Sequence, residues 1–588
     1  MRFILSLSKD KLARFFVFVW YNEIMIHQIL KDLVKESLEK LKKQNILPDF
    51  TIPEIEIEHP AEEKNGDYST NIAMRIAKIA KKSPLEIADA IVSKIPMRNS
   101  EIFERILAVQ PGFINFFLSE EFLQNQVAEI FNPPKSAKGE LGRVNIEFIS
   151  ANPTGPLHIG NGRGAFFGDV LANVLANCGF KVEREYYIND AKKSNQIQEL
   201  GRTAIGEGST YLNDYFRLKI KNQTSKIKNT IQKLKDKENI YGEIGYLVAK
   251  EIQKDSQKFI EKKLKIKFDK WFSEQKFFDA GMVEKMFERL KEKKLTYDKE
   301  GAIWLKTSEF GDEKDWVIVR SDGEPSYFLS DITYHQDKID RGFDKIIDIW
   351  GADHQGHVGK MKAAMRILEY KGDFDALISQ MVRLKTGKMS KRTGEIITLE
   401  DLIKEVGLDI ARFFYLSKSL DTQMEFDLDL AKEQSEKNPV YYVQYAYARI
   451  HSILAKSKMK YQKSKIQIKN EKIYQLLNHP SELALIKQLI KFPEIIEDTA
   501  KDYQVQRLPQ YAMDLATAFH QFYRDCRVLR PNQKQIKTND KRIFAKDSFP
   551  FDKYSSNLTE ARLALILATK AVLKNTLDLM GISAPEKM

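Results

Sequence analysis

The chain has 588 residues, with 94 Lys and Arg against 82 Asp and Glu, a net charge of +12 and two cysteines. That length predicts three or four domains, each with its own core, and the basic excess suits a polyanionic partner without establishing one. Cys178 and Cys526 lie far apart without ligand spacing, which excludes a disulfide framework or zinc motif and points to a reducing, cytoplasmic setting; no apolar run approaches the ~18–20 residues that span a bilayer.

Arg2, Lys9, Lys11 and Arg14 precede the apolar run Phe15 to Tyr21, a pattern that invites a targeting segment. The run is short and no small-residue cleavage site follows it, so residues 1–24 read as an N-terminal extension, with translation from Met25 as the alternative. Ile26, Ile29, Leu30, Leu33, Val34, Leu38 and Leu41 then recur at helical spacing, predicting a helix over 26–43 with one buried stripe. A strand region from Ile52 to Glu58, the turn Asn65-Gly66-Asp67, a helix from about Thr70 and the apolar segment Gly112 to Leu118 complete an N-terminal domain over 25–135. The Pro/Lys/Gly stretch Pro133 to Gly142 is the linker out of it.

Val144 to Ile149 reads as a strand, Ser150 to Leu157 as a loop, about Gly162 to Asn177 as a helix and Lys181 to Ile188 as a second strand. Strand, helix, strand predicts a parallel α/β sheet with a right-handed crossover, here spanning 140–405. Lys/Glu-rich helical stretches from about 206 to 294 look like an insertion, after which Trp316 to Val319 and Lys345 to Trp350 resume the strands. From 406 to 588 nearly everything is helical.

Two loops carry the chemistry. His158 to Gly164 lies where a strand gives way to a helix, so free N–H groups and the positive helix end can meet an anion, with glycines 160, 162 and 164 admitting a nucleotide close to the backbone. The same residues fit a dinucleotide fingerprint, Gly160, Gly162 and Ala165 with Glu185 about 20 residues on, or an ordinary glycine-rich turn; the ten residues between Ile149 and Gly160 weigh against the fingerprint. Lys385 to Gly394 is a cation-dense loop in which Lys388 and Lys391 could stabilise a pyrophosphate leaving group, although a lone basic pentamer is more often a solvated surface.

Together, His158-Ile159-Gly160-Asn161 and Lys388-Met389-Ser390-Lys391-Arg392 resemble the two signatures of the class I aminoacyl-tRNA synthetases, with Asn161 and Arg392 departing from the commoner residues. Several stretches resemble the arginyl-tRNA synthetase family specifically. They are Glu147 to His158, Trp271 to Glu274, Ser321-Asp322-Gly323 with Tyr327 to Asp331, Gly351 to His354, and Asn438 to Tyr445. The resemblance extends over almost the whole chain from Met25. It departs from the pattern at Lys192-Lys193-Ser194 and at Tyr447.

The resemblance implies a Rossmann-like class I catalytic domain, an α+β N-terminal domain touching the outer corner of tRNA, and a helical anticodon-binding domain. It implies ligation of L-arginine to tRNA(Arg) through an arginyl-adenylate, using ATP with Mg2+, and a monomeric enzyme; His335, His354 and His357 share no known ligand spacing with a Cys or acid, so no structural metal is expected. His158, Lys388 and Lys391 would be catalytic, and His158, Gly160, Asn161, Lys388, Met389, Ser390 and Lys391 would bind ATP. Glu147, Asn152, His158, Tyr327, Asp331 and Asp353 would line the arginine pocket. A guanidinium needs carboxylates in fork geometry, for which Glu147 and Asp331 are the choices, with Tyr327 four residues before Asp331 on one helical face. For tRNA, Tyr441, Gln444, Arg449, Arg524 and Arg527 are the candidates, with Arg75, Lys78, Lys81 and Lys82 in the N-terminal domain. A catalytically silent tRNA-binding protein and a nicotinamide oxidoreductase are the rival readings. The first leaves an intact pair of signatures unused, and the second leaves the Lys388 loop unexplained.

Overall fold

A computed structural model describes residues 25–96, 101–131, 141–233, 240–385, 397–457, 471–529 and 551–588. The first helix, α1 (Ile26–Lys43), buries Ile26, Leu30, Leu33, Val34, Leu38 and Leu41, the stripe its spacing predicts. It packs with α2 (Ile72–Ala80) and α3 (Pro84–Lys94) over an antiparallel sheet of β1 (Tyr68–Thr70), β2 (Phe103–Val109) and β3 (Phe113–Leu118) in the order β1-β3-β2. Ser83 starts α3 with a reciprocal capping box to Glu86 and Pro84 at the first turn. The strand expected over Ile52 to Glu58 does not form; only Glu58 makes a bridge, to Ser69. Pro53 lacks an N–H, and the Glu54 carbonyl accepts from Arg75 at 2.7 Å, so the segment stays extended without a ladder.

Helix α4 (Glu120–Phe131) leads to a five-stranded, wholly parallel sheet of β4 (Arg143–Glu147), β5 (Lys181–Ile188), β6 (Lys270–Ser273), β10 (Lys345–Gly351) and β11 (Asp373–Ser379), in the order β11-β10-β4-β5-β6. Helix α5 (Ile159–Asn177) is the crossover between β4 and β5, and its close approach to the sheet depends on Gly168, where a Cβ would lie 2.4 Å from the Phe148 ring. Between β5 and β6 stand α6 (Asn195–Ile205), α7 (Asp214–Lys233) and α8 (Ile240–Phe259), with a small core of their own around Ile197, Leu200, Ile244 and Val248. The wholly helical insertion expected over 206–294 is therefore corrected, because β6 lies inside it as an edge strand of the main sheet. Trp271 pairs with Tyr186 in register, and their tilted rings pack with centroids 4.6 Å apart.

Trp316–Val319 is the strand its residues predict, but outside the parallel sheet. It is β9 of a separate antiparallel sheet with β7 (Thr296–Lys299) and β8 (Ala302–Leu305), reached after α9 (Met282–Glu292). Helix α10 (Tyr327–Asp340) precedes β10, and α11 (Val358–Ile367) follows it. Strand β12 (Val382–Lys385) pairs with β13 (Met424–Asp427) around α12 (Leu399–Val406) and α13 (Leu408–Leu416). The remainder is helical: α14 (Pro439–Lys456), α15 (Pro480–Ile490), α16 (Phe492–Asp502), α17 (Arg507–Asp525) and α18 (Phe551–Leu579). Both cysteines are buried and neither forms a disulfide, and among the described residues no helix is long and apolar enough to cross a membrane.

Candidate active site

The chain leaves β4 toward β5 and β6 on one flank and later returns to lay β10 and β11 on the other. In an open parallel sheet such a switch point, at the carboxyl ends of the strands, is where ligands bind. The segment 148–158 leaves the sheet there from β4, and the turn Ala352–His357 leaves it from the neighbouring β10. Helix α5 begins three residues earlier than its apolar pattern predicts. His158 is the cap: its Nδ1 accepts from the Gly160 N–H at 3.0 Å, while Asn161 Oδ1 accepts from the His158 N–H at 2.9 Å. Because Nδ1 accepts, the ring proton sits on Nε2, and burial of the ring's inner face lowers the pKa, leaving a neutral Nε2–H donor at the helix start. Asn161, expected at the nucleotide, spends its amide oxygen on the cap.

Gly162 serves packing more than nucleotide room. A Cβ on Gly162 would lie 2.9 Å from Leu399 Cδ1 and 3.0 Å from Tyr415 Cζ, and Tyr415 Oη donates to the Ile159 carbonyl at 2.7 Å. The dinucleotide reading fails at its acid: Glu185 is fully buried and accepts from Asn145, Tyr334 and Arg341, so it cannot reach a ribose. Lys388, Met389, Ser390, Lys391 and Arg392 lie outside the described residues. Their flanks do not. Lys385 ends β12, and beyond the loop Leu399 N–H donates to the Leu157 carbonyl at 2.8 Å while the Ile397 carbonyl accepts from Ile159 N–H at 3.2 Å, so Ile397 to Leu399 lie beside His158.

Directly after β4, Ile149 and Ser150 have φ of 69° and 36°, left-handed conformations that a β-branched residue adopts only under constraint. The constraint comes from β5 and its extension. Tyr187 N–H donates to Ser150 Oγ at 3.0 Å, Tyr186 Oη to the Ala151 carbonyl at 3.1 Å, and Asn189 to the Ser150 carbonyl at 3.2 Å. Asn152 is thereby held exposed on the loop.

The pocket acids divide differently from the expectation. Glu147 and Asp348 are register partners on β4 and β10, and Lys338 of α10, wholly buried, bridges them at 2.8 and 2.7 Å. His335 completes the group, contacting the Asp331 carbonyl and the Asp348 carboxylate. Glu147 is thus already neutralised inside the protein. The acid that stands with Asp331 is Glu274, at the end of β6. Burial pushes Glu274 up to about 8, reinforced by the charges of Asp331 and Asp190, and burial pushes Asp331 up to about 6. Neither carboxylate has a lysine or arginine ion pair among the described residues, and the buried Tyr187 hydroxyl beside Glu274 lacks a hydrogen-bond partner of normal geometry. Asp190 accepts from Ser273 and Gln275. Tyr327, one turn before Asp331, is 56% exposed and stands at the mouth, sensing Glu274. Asp353 is exposed on its turn beside His354 rather than in this acidic recess. The altered stretch Lys192 to Ser194 is anchored locally: Lys192 pairs with Glu243, Lys193 with Glu324, and Ser194 caps α6.

On the helical domain, Tyr441 and Tyr445 stack in parallel with ring centroids 6.3 Å apart, and Arg449 lies over Tyr445 and Tyr523. Gln444 is withdrawn from such a surface, since it donates to Asp409 and Ser583. Arg524 is tied to Asp525, whereas Arg527 is exposed. In the N-terminal domain Arg75 is spent on Glu54 and Glu56; Lys78, Lys81 and Lys82 remain exposed.

Family models match the chain in three consecutive blocks: "Arginyl tRNA synthetase N terminal domain" over residues 28–118, "tRNA synthetases class I (R), catalytic domain" over 126–427 and "DALR anticodon binding domain" over 443–588. Similar curated proteins include the arginine–tRNA ligase of Caldanaerobacter subterraneus subsp. tengcongensis, 41% identical over 95% of this chain and 98% of its own length, and that of Geobacter sp. strain M21, 39% identical over 95% and 99%. Thermus thermophilus arginyl-tRNA synthetase shares the fold with a TM-score of 0.73 over 96% of this chain and 100% of its own, at 20% identity. With all three blocks in order and relatives matched end to end, the chain belongs to the arginyl-tRNA synthetase family of class I.

Proposed function

We propose that the chain ligates L-arginine to tRNA(Arg): a carboxylate oxygen of arginine attacks the α-phosphorus of ATP, pyrophosphate leaves, and a ribose hydroxyl at the tRNA 3′ end then displaces AMP from the arginyl-adenylate. The observation that carries the arginine assignment is the recess of Glu274, Asp331 and Tyr187, two carboxylates that burial holds above their ordinary pKa and that form no lysine or arginine ion pair among the described residues. A guanidinium supplies five donors and a fixed charge, which meets both acids and the Tyr187 hydroxyl together. Tyr327 closes the mouth over the aliphatic stem, and Glu147, locked by Lys338, supports the wall. Lysine, a point charge with three donors, leaves a carboxylate unpaired.

Catalysis rests on positioning and charge, with no covalent enzyme intermediate. His158 Nε2–H donates to phosphate oxygen, Lys388 and Lys391 close on the leaving pyrophosphate, and Asn152 with Asp353 orients the amino-acid head group. Magnesium comes with the nucleotide, held by phosphate and water oxygens. Stacked Tyr441 and Tyr445 with Arg449 take unpaired bases and phosphate of the tRNA. The test is tRNA-dependent exchange of labelled pyrophosphate into ATP with arginine against lysine and the other amino acids. Arginine-specific exchange is expected, and its absence in folded protein overturns the reading. Asp331→Ala should raise the arginine requirement steeply and spare tRNA affinity.

A further inference from the structure

Outside the active site, the N-terminal domain meets the helical domain through a cluster that sequence spacing does not reveal. His27 lies on α1, His59 follows the extended segment at Glu58, and Tyr68 lies on β1; all three converge on Glu494 of α16, 435 residues beyond His59. His59 Nε2 is 3.0 Å and His27 Nε2 3.6 Å from the same oxygen, Glu494 Oε2, and Tyr68 Oη donates to both carboxylate oxygens at 3.1 and 3.2 Å. The two ring nitrogens and a carboxylate oxygen lie within 4.8 Å of one another.

The hydrogen bonding is incomplete as it stands. His59 Nδ1 is 2.9 Å from the Asp67 carbonyl, which only accepts, so Nδ1 carries a hydrogen and the Nε2 of a neutral ring points its lone pair at a carboxylate oxygen. Positive charge must lie between them. A proton on His59 would satisfy that one contact. It would leave His27 Nε2 as it is now, sealed from solvent with no partner. A divalent cation satisfies all three atoms together. At Asp348, where a histidine also meets a buried carboxylate, Lys338 supplies the charge; Glu494 forms no lysine or arginine ion pair among the described residues.

We infer that His27, His59 and Glu494 form a binding site for a zinc-type divalent cation, which clamps the N-terminal domain to the helical domain. Ligand atoms about 2.0–2.2 Å from a tetrahedral ion are roughly 3.3 Å apart, between the two separations from Glu494 Oε2. The surroundings suit ligation: the Asp67 carbonyl fixes the His59 ring with Nε2 inward, and Tyr68 orients the carboxylate. Three protein ligands leave a fourth position for water. The absence of a structural metal expected from the sequence does not hold on this reading, because the ligands share no local motif.

Full-length protein is stripped with chelator, titrated with Zn2+ and dialysed, and its metal content and thermal unfolding are measured. One Zn2+ per chain and a raised Tm are expected, with Co2+ in its place giving the visible absorption of a four-coordinate nitrogen and oxygen site. His59→Gln and Glu494→Gln should each weaken Zn2+ binding by more than about tenfold and remove the Tm rise, and His451→Gln, elsewhere in the helical domain, should change neither. Should a ligand substitution unfold the protein, Tyr68→Phe, which removes only the hydroxyl from the carboxylate, should still weaken binding. No stoichiometric uptake by the wild-type chain, or uptake undiminished in the cluster variants, overturns the site.

Discussion

Glu274→Gln separates the cost of the arginine pocket from its use. Glu274 is 3% exposed, and burial beside Asp331 and Asp190 raises it from an ordinary 4.5 to about 8. At pH 7 the unfolded chain carries this group ionised and the folded chain carries it protonated. Folding therefore works against some 2.5 decades of proton affinity, roughly 3–4 kcal/mol at about 1.4 kcal/mol per decade. The sign follows from the raised value: stability is lost as pH rises above 4.5 and goes on falling until about 8. Glutamine keeps the shape without the titration, so the substrate-free variant should unfold at higher temperature or denaturant than the parent, with a difference that grows from pH 5 to pH 8. In arginine binding the sign reverses. Truncating one partner of a buried, hydrogen-bonded charge pair costs ~2–5 kcal/mol, so the KM for arginine in pyrophosphate exchange should rise at least about 30-fold while the KM for tRNA stays put. A variant that is less stable than the parent, or that keeps its arginine KM, refutes the assignment of Glu274 to an unpaired guanidinium site.

The same pair predicts a pH profile. Arginine binds the ionised acids, so its KM should fall as pH rises from 6 to 8 and then level, as measured with saturating ATP and tRNA; a KM flat across that range contradicts it. Lys338→Met leaves Glu147 and Asp348 facing each other, buried with only His335 beside Asp348, and should cost ~3–5 kcal/mol in denaturant unfolding. That loss should shrink on acidification, because burial already raises Glu147 and its protonation removes the repulsion. Arg449→Ala should weaken tRNA binding and flatten its salt dependence by about one phosphate contact, with arginine KM unaltered; an unchanged salt slope in filter binding would count against the Tyr445 and Tyr523 surface.

Much of the frame was legible because it depends on local periodicity. The α1 stripe, the β4–α5–β5 unit and the helical C-terminal third follow from the spacing of apolar residues, and His158 could be placed at a helix start from its glycines and the preceding strand. Pairing partners were not legible. Glu147 and Glu274 look alike in sequence, and only the fold shows that Lys338, 191 residues from Glu147, takes one and leaves the other free. Trp316–Val319 carries the composition of a parallel-sheet strand yet pairs elsewhere, since four β-prone residues say nothing of their neighbours. Helix α5 runs three residues ahead of its apolar pattern, because a histidine cap closed by asparagine is a less familiar start signal than serine with glutamate.

The strained turn after β4 also bears on attempts to retune this enzyme. Tyr187 belongs to two places at once: its amide pins Ser150 in the loop leading to His158, and its ring and hydroxyl wall the acidic recess. A designer who reshapes the recess for another amino acid by moving that ring also tugs the peptide that keeps Ile149 and Ser150 left-handed. Altered specificity and loss of nucleotide alignment are then inherited together, and compensating substitutions belong at 149 and 150, outside the pocket being redesigned.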